Sequence, residues 1–244
     1  MKILIAVIAY NEAQNIRRAL EDLQSNNFGY DILVIDNGSS DNTSQIAKEC
    51  GVDVLTHSIN SGSSAGTLTS YFMYANKYNY DILCQFDGDG QHIASELYKI
   101  IDPVKNHNAD YVIGSRFIEK EGYQSSFLRR IGISLFAVID SKIIGVKITD
   151  ITSGFRAYSR DIIKYFARYH KHEVYDTSQL LLLSHFCGAK IKEVPVRMRE
   201  RLYGESEFNF INSLSFPIKA MINVVGCILQ RNQIKKIMRN NNGN

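Results

Sequence analysis

The sequence predicts an α/β domain with a mostly parallel central sheet and helices on both faces. Short apolar runs rich in β-branched residues recur along the chain, which is typical of strands buried on both sides. Segments of helical length and spacing separate these runs, as in βαβ units. Apolar residues make up 45% of the 244 positions and charged residues 22%, a composition that suits a globular chain. These observations favour one continuous domain without an internal repeat.

The first strand is predicted at 3–9, with a helix directly after it. This apolar run is short and leads into Asn11 and Glu12 without a small-residue cleavage site, so a buried strand fits better than a signal peptide. Asn11 is a suitable N-cap, and Gln14 stands three residues later, as in a capping box. Apolar residues then recur at helical spacing as far as Leu23.

The same alternation continues along the chain. Further strands are predicted at 31–36, 52–56, 81–86, 110–114 and 190–197. Further helices are predicted from Ser40 or Asp41 to Gly51, from 61–66 to about Asn79, from His92 to about Asn106, and over 127–144 and 176–187. Pro103 is expected to bend or split the helix that contains it. Residues 119–126 are predicted to form a loop, and residues 150–156 a polar turn with a buried aromatic side chain.

Residues 1–207 are predicted to form the domain, and residues 208–244 a helical C-terminal appendage. This tail has no acidic residue and five basic ones, Lys219, Arg231, Lys235, Lys236 and Arg239. Its apolar residues predict either a helix that packs on the domain or on a second copy in a homo-oligomer, or an interfacial helix on anionic lipid. The rest of the chain is slightly acidic, which disfavours nucleic acid as a partner. The four cysteines have no paired spacing, which predicts reduced thiols and a cytoplasmic protein.

Polar residues follow three of the predicted strands. They are Tyr10 to Glu12, Asp36 to Ser39, and Asp87 to Asp89. Ligands of open α/β sheets bind at the carboxyl ends of the strands, so these segments predict a binding site. The first turn lacks G-x-G-x-x-G, which disfavours a nicotinamide cofactor and a dehydrogenase.

Asp87 and Asp89 stand one residue apart between glycines. By itself such a stretch is typical of a turn. After a buried strand, the same two carboxylates are hard oxygen ligands for Mg²⁺ or Mn²⁺, which in turn holds a diphosphate and neutralises the charge on a departing phosphate. The position in the predicted sheet favours the metal site over the plain turn.

Six segments resemble one known family in order and spacing. They are AYNEAQNI at 9–16, ILVIDNGSSDNT at 32–43, FDGDGQH at 86–92, VIGSRF at 112–117, DITSGFRAY at 150–158 and KEVPVRMRERLYGESE at 192–207. Over residues 2–210 the chain resembles the inverting glycosyltransferases of family 2, and within them the dolichyl- and polyprenyl-phosphate sugar transferases. The resemblance implies the GT-A fold of nucleotide-diphospho-sugar transferases.

The resemblance implies a role for each matching polar residue. The nucleotide base and ribose would contact Tyr10, Glu12, Asp36 and Asn37. The metal would be bound by Asp87 and Asp89, with Gln91 as a further oxygen donor. Phosphates would pair with Arg116 and Arg201, whose planar forks suit them. The sugar and acceptor would lie near Asp150, Ser153 and Arg156. The donor-binding set also includes Ser63, Arg156 and Ser206, and the catalytic set is Asp89, Arg116, Asp150 and Asp176. His92 is expected to be a surface residue at a helix start rather than a phosphate donor.

Four positions depart from the family pattern. Asn37, Ser63, Gln179 and Glu207 stand where the family often has an aspartate, a lysine, a carboxylate and a lysine. The serine and the glutamate remove cations that a phosphate acceptor favours. The glutamine removes a candidate general base, which a hydroxyl acceptor needs and which Asp176, one helical turn earlier, could replace. A lipid phosphate acceptor is already ionised and needs no base, so both mechanisms stay open here.

The sequence thus predicts metal-dependent, inverting transfer of a sugar from a UDP- or GDP-sugar. The acceptor would be membrane-associated, either a polyprenyl phosphate or a lipid-linked glycan, in the synthesis of cell-surface polysaccharide or glycoconjugate. The protein would be cytoplasmic and peripheral at the inner face of the cell membrane. One alternative is a sugar-nucleotide-binding protein without catalysis, suggested by Ser63, Gln179 and Glu207. A nucleotidyltransferase fits the fold but not the motifs at 150–156 and 201–206.

Overall fold

The computed structural model describes residues 1–60, 66–119, 127–169, 177–204, 221–232 and 234. Within these ranges the chain forms a seven-stranded sheet with helices on both faces, which confirms the predicted α/β class. Ser63, Asp176, Ser206 and Glu207 lie outside the described residues, so the roles expected of them stay predictions.

The sheet is mixed but mostly parallel. Its strands are β1 (Ile3–Ala9), β2 (Asp31–Asp36), β3 (Asp53–Thr56), β4 (Ile82–Asp87), β5 (Tyr111–Ser115), β6 (Arg156–Ser159) and β7 (Ile191–Pro195). They lie in the order β3-β2-β1-β4-β6-β5-β7. Strand β6 runs antiparallel to its neighbours β4 and β5, and the other pairs are parallel.

Helices connect most of these strands. They are α1 (Ile16–Ser25), α2 (Thr43–Glu49), α3 (Thr67–Lys77), α4 (Leu97–Lys105), α5 (Phe127–Ile144), α6 (Arg160–Tyr169) and α7 (Thr177–Phe186). A 3₁₀ turn, Ala94–Glu96, precedes α4, and residues 221–232 are also helical. Among the helices in the described ranges, none has both the length and the apolar character that crossing a membrane requires.

Two apolar cores lie on opposite faces of the sheet, because successive side chains of a strand point to opposite sides. In β1, Leu4 and Ala6 face one core, while Ile5 and Val7 face the other. Helices α3, α5, α6, α7 and residues 221–232 cover the first core, and α1, α2 and α4 cover the second. Burial on both faces explains why the strands are continuous apolar runs in the sequence.

The predicted start of the first helix was wrong. Helix α1 begins at Ile16, whereas Asn11 has a φ of 53°, a left-handed conformation outside a helix. The Asn11 side-chain oxygen accepts a hydrogen bond from the Ser40 backbone N–H at 2.8 Å, and the Glu12 backbone N–H donates to Thr43 Oγ1 at 2.8 Å. These bonds tie the segment after β1 to the loop after β2 and delay the helix.

The carboxyl ends of β1, β2 and β4 meet at one edge of the sheet. Ala9 is paired with Asp36, and Ile8 with Asp87. The loops that follow these three strands are therefore neighbours. This arrangement brings the three predicted polar segments together at a typical ligand-binding edge.

Candidate active site

The loop after β2 forms one wall of the site. Asp36 is buried at the end of β2, and its Oδ1 accepts a hydrogen bond from the Ser39 backbone N–H at 3.0 Å. Gly38 has a φ of +75°, and a Cβ there would lie 2.6 Å from the Ile59 carbonyl carbon. The turn therefore requires glycine both for its left-handed backbone and for its close packing on residues 59–60.

Asn37 points into a group of polar side chains that the sequence did not predict. Its Nδ2 donates to Asn60 Oδ1 at 3.0 Å, and its Oδ1 lies 3.1 Å from His57 Nδ1. His57 Nε2 in turn lies 2.7 Å from Ser70 Oγ in α3. Burial lowers the pKa of His57 below its ordinary value, which favours the neutral ring. The predicted base-binding asparagine is thus held by two residues of the segment that follows β3.

Glu12 is a buried carboxylate at the start of the loop after β1. Its Oε2 accepts a hydrogen bond from Asn15 Nδ2 at 2.7 Å, and its Oε1 accepts one from Arg201 Nη2. Burial raises the pKa of Glu12 from 4.5 to about 7, although the Asn15 hydrogen bond and the Arg201 charge act in the opposite direction. The preceding Tyr10 is half-buried at the same edge.

Arg201 connects the two sides of the site. Besides its bond to Glu12, its Nη1 lies 3.8 Å from Asp89 Oδ2, and its Nε donates to the Tyr203 carbonyl at 2.7 Å. Asn15 Nδ2 also donates to that carbonyl, at 3.1 Å. The segment around Arg201 is therefore bound to the loop after β1.

Asp87 and Asp89 lie at the end of β4 and in the turn that follows. Burial raises the pKa of Asp87, while Gln85 and the nearby charges of Arg116 and Arg201 lower it to a smaller extent. Burial also raises the pKa of Asp89, and the negative charge of Asp87 adds to that effect. Burial and mutual repulsion destabilise the charged forms of both carboxylates, and a bound cation would stabilise them.

His92 is not the surface residue that was predicted. It is 3% exposed and stacks on Phe155, with ring centroids 4.7 Å apart. Its Nδ1 accepts a hydrogen bond from the Asp87 backbone N–H at 2.9 Å, and its Nε2 lies 3.5 Å from Asp87 Oδ2. Burial lowers the pKa of His92 to about 4, so the ring is neutral at pH 7. The neutral ring packs against Asp87 through both of its nitrogens.

Arg116 and Asp150 form a buried ion pair. Arg116 Nε donates to Asp150 Oδ2 at 2.7 Å, and Arg116 Nη2 donates to Asp150 Oδ1 at 2.8 Å. Glu193 in β7, which lies in the family-like segment 192–207 but was given no role there, accepts hydrogen bonds from the backbone N–H groups of Thr149 and Asp150 at 2.8 Å each. The Arg116 fork, expected at a phosphate, is therefore bound to Asp150 here.

Arg156 differs from the prediction of a direct ligand contact. It is 1% exposed, and its Nη2 donates to the Ile151 carbonyl at 2.7 Å. Its Nε and Nη1 donate to the Ser153 carbonyl and to the Tyr111 hydroxyl. The guanidinium thus lies below the loop that was expected to surround the sugar, and it is bonded to the backbone of that loop.

Gly154 approaches the acidic pair more closely than sequence reasoning had indicated. A Cβ at this position would lie 2.5 Å from Asp87 Oδ2 and 2.8 Å from Oδ1. Gln91, the predicted third oxygen donor, directs its Nε2 to the Arg199 carbonyl at 3.4 Å. Gln179, where the family often has a carboxylate, lies in the first turn of α7.

The donor set suits a divalent cation that is bound together with a diphosphate. Within the part of the chain that the structure describes, no three His, Cys, Asp or Glu side chains cluster as a complete metal site. Mg²⁺ and similar cations are commonly held by one or two carboxylates, with substrate phosphates and waters completing the shell. Asp87 and Asp89 are the two carboxylates that could do so, and the absence of a Cβ at Gly154 leaves room for the first of them.

This mostly parallel sheet with helices on both faces has the GT-A fold, which solved glycosyltransferase structures share. Residues 4–166 match the family model of glycosyl transferase family 2, and the chain belongs to that family. The neighbouring structure of glucosyl-3-phosphoglycerate synthase from Mycobacterium tuberculosis, in complex with Mn²⁺, UDP-glucose and phosphoglyceric acid, superimposes with a TM-score of 0.65 at 14% identity. That match covers 93% of this chain and 79% of the other.

Two relatives are named as transferases that act on lipid phosphates. The chain is 29% identical over 214 residues to the UDP-N-acetylglucosamine–dolichyl-phosphate N-acetylglucosaminyltransferase of Methanococcus voltae. That match covers 80% of this chain and 84% of the other protein. The chain is also 29% identical over 221 residues to the undecaprenyl-phosphate mannosyltransferase of Micrococcus luteus, which covers 86% of this chain and 88% of that protein. The predicted family is therefore confirmed, and the chain is a glycosyltransferase.

Proposed function

We propose that this glycosyltransferase moves a sugar from a UDP- or GDP-sugar to a polyprenyl phosphate, with inversion at the anomeric carbon and with a divalent cation. The product would serve the synthesis of cell-surface polysaccharide or glycoconjugate. The observation that carries this proposal is the pair Asp87 and Asp89 at the carboxyl edge of the sheet, beside Arg201 and Glu12. The names of the two lipid-phosphate relatives support the acceptor class.

The loop after β2 would hold the nucleotide end of the donor. Asp36 and Asn37 present a carboxylate and an amide, which suit ribose hydroxyls and the hydrogen-bonding edge of a base. Glu12 and Tyr10 lie on the neighbouring loop after β1. This assignment places the base over β1 and β2 and directs the diphosphate towards β4.

Asp87 and Asp89, with Gln91 as a further oxygen donor, would hold Mn²⁺ or Mg²⁺ against the diphosphate. The cation, when bound, neutralises the negative charge that develops on the leaving diphosphate. Arg201 would exchange its bond to Glu12 for one to a phosphate oxygen, since its fork suits both partners. Arg201 Nη1 lies 3.8 Å from Asp89 Oδ2, next to the position proposed for the diphosphate.

The acceptor would attack from the opposite face of the sugar. An oxygen of the lipid phosphate forms a bond to the anomeric carbon while the bond from that carbon to the diphosphate oxygen breaks, and the electron pair leaves with the diphosphate. A phosphate acceptor is ionised near neutral pH and needs no general base. Asp150 is consistent with this, because its carboxylate is already engaged by Arg116. With a hydroxyl acceptor on a lipid-linked glycan, Asp176 would instead be the base.

The C-terminal tail would bring the protein to the cytoplasmic face of the cell membrane, where such an acceptor resides. Residues 1–207 would then form the catalytic domain and residues 208–244 the membrane-surface tail. Contact between tails of two copies in a homo-oligomer is the competing arrangement.

Substitution of Asp89 tests the proposed function. Asp89→Ala should abolish sugar transfer and the increase in nucleotide affinity that Mn²⁺ produces, because one of two metal-binding carboxylates is lost. Radiolabelled transfer and calorimetric titration of UDP and GDP, with and without Mn²⁺, measure both effects. Asp161→Ala, at an exposed position in α6, is the matched control and should behave as wild type. Full transfer activity in Asp89→Ala would sink the assignment.

A further inference from the structure

The backbone at Gly154 forms the wall behind the Asp87 carboxylate. A Cβ added there would meet both carboxylate oxygens, at 2.5 Å and 2.8 Å, and such approaches below 3.0 Å are essentially never observed. Gly154 does not have a positive φ, so its backbone conformation is open to other residues. Any side chain at this position would therefore have to displace the Asp87 carboxylate from the orientation seen here.

Arg156 fixes the loop that carries Gly154. Its buried guanidinium donates to the carbonyls of Ile151 and Ser153, which precede the glycine in the chain. It also donates to the Tyr111 hydroxyl in β5. Arg156 itself is the first residue of β6 and is paired with Gln85 of β4. The glycine is thus held between an arginine-bonded turn and a strand next to β4.

The remaining neighbours of Asp87 leave its carboxylate with capacity to bind a cation. Gln85 Nε2 lies 3.5 Å from Oδ1, and His92 Nε2 lies 3.5 Å from Oδ2. Both distances are long for hydrogen bonds to a carboxylate, which are usually about 2.7–2.9 Å. Packing against Gly154 and His92 therefore sets the orientation of this carboxylate more than short hydrogen bonds do.

We propose that Gly154 and Arg156 are positioning residues for the metal site: they hold the Asp87 carboxylate in the orientation that binds the divalent cation of the donor. Neither residue touches the ligand in this account. The inference rests on the proposed function, because it takes Asp87 and Asp89 as the ligands of that cation.

Gly154→Ala is the direct test, because the added methyl group must displace the Asp87 carboxylate. The apparent Mn²⁺ affinity, measured by electron paramagnetic resonance in the presence of UDP or GDP, should fall by about 10-fold or more, as for other residues that orient metal ligands. Nucleotide binding without metal should be unchanged, since Asp36 and Asn37 are untouched. Gly226→Ala is the matched control, because it lies within the helix at 221–232 and a Cβ there meets nothing within 4 Å. Its Mn²⁺ affinity should equal that of wild type.

Arg156→Lys is a second variant that keeps the buried charge and loses the fork. It should also weaken Mn²⁺ binding while metal-free nucleotide binding persists, and the latter measurement together with circular dichroism reports that the chain is folded. Wild-type Mn²⁺ affinity in both variants would overturn the positioning role and leave the proposed function standing. Failure of wild type to bind Mn²⁺ with either nucleotide would overturn the proposed function as well.

Discussion

At the scale of single residues, Arg201 contacts both the Glu12 carboxylate and the neighbourhood of Asp89. A guanidinium that lies between two acidic groups can exchange its bond to a carboxylate for a bond to a diphosphate and still remain at the site. If Arg201 leaves Glu12, the buried Glu12 carboxylate keeps its hydrogen bond from Asn15. Because the pKa of Glu12 is raised to about 7, Glu12 can then take up a proton near neutral pH. The same contacts thus suit both the ligand-free site and the donor-bound site.

Glu12 makes stability depend on pH in a defined direction. Its pKa is raised from 4.5 to about 7, mainly by burial, so between these values the folded state keeps a proton that the unfolded state has released. The contribution of Glu12 to the free energy of unfolding should therefore fall as pH rises from about 4.5 to 7, by about 3 kcal/mol, and then level off. Chemical denaturation of wild type and Glu12→Gln across pH 4–8 measures it as the difference between the two proteins. A difference that is constant or rises with pH would contradict this account.

The sequence was sufficient to predict the acidic pair but not what surrounds it. Asp87 and Asp89 directly follow an apolar run, so their place at a strand end follows from local pattern. Gly154 and Glu193 lie within the family-like segments 150–158 and 192–207, but their contacts with Asp87 and with residues 149–150 span large sequence separations, which a local pattern does not predict. His92 was misplaced for a similar reason, because its burial depends on Phe155, which comes from another loop.

At the scale of elements, the helix at 221–232 has two different faces. Val224 and Cys227 are buried in the core cluster on one face of the sheet. Ile222 and Leu229 are 65% and 78% exposed, and Met221 and Val225 also lie on the surface. An exposed apolar stripe beside an acid-free, basic tail suits an anionic lipid surface.

Removing this stripe should weaken membrane binding. The double variant Ile222→Ser/Leu229→Ser should bind vesicles of phosphatidylglycerol at least about 10-fold more weakly than wild type, since each apolar side chain contributes about 1.5–3 kcal/mol when fully buried. Cosedimentation at low and high salt measures this, with phosphatidylcholine vesicles as the neutral reference. Tyr98→Ser, an exposed site on α4 over the other core, should bind like wild type. Unchanged vesicle binding with an altered oligomeric state would contradict the lipid interpretation and favour contact between copies.

The bounds of strands and helices were predicted correctly where a local sequence pattern sets them. They were missed where contacts with distant segments set them. Strands β1 and β2 and helix α5 have the predicted bounds. Strand β6 was not predicted, because Arg156–Ser159 is only four residues long, only half apolar, and is stabilised by antiparallel pairing with β4 and β5. The late start of α1 likewise depends on hydrogen bonds to the loop after β2.

In the whole molecule, the sheet order brings the described residues of the proposed donor site to one edge. The loops proposed to bind the nucleotide follow β1 and β2, the acidic pair lies at the end of β4, and the antiparallel direction of β6 brings its start, with Gly154 just before it, next to Asp87. Arg201 reaches the same edge from the segment after β7. The residues proposed to bind the donor therefore lie at one edge of one sheet.

Sugar transfer by the wild-type protein is the decisive measurement for the proposed function. Purified protein is incubated with radiolabelled UDP- and GDP-sugars, polyprenyl phosphate in detergent or vesicles, and either Mn²⁺ or a chelator. We expect label in the lipid fraction for one donor, with the anomeric configuration opposite to that of the donor, and we expect this label to be lost when the metal is chelated. Transfer that persists undiminished without metal, or a product that retains the donor configuration, would contradict the proposed function.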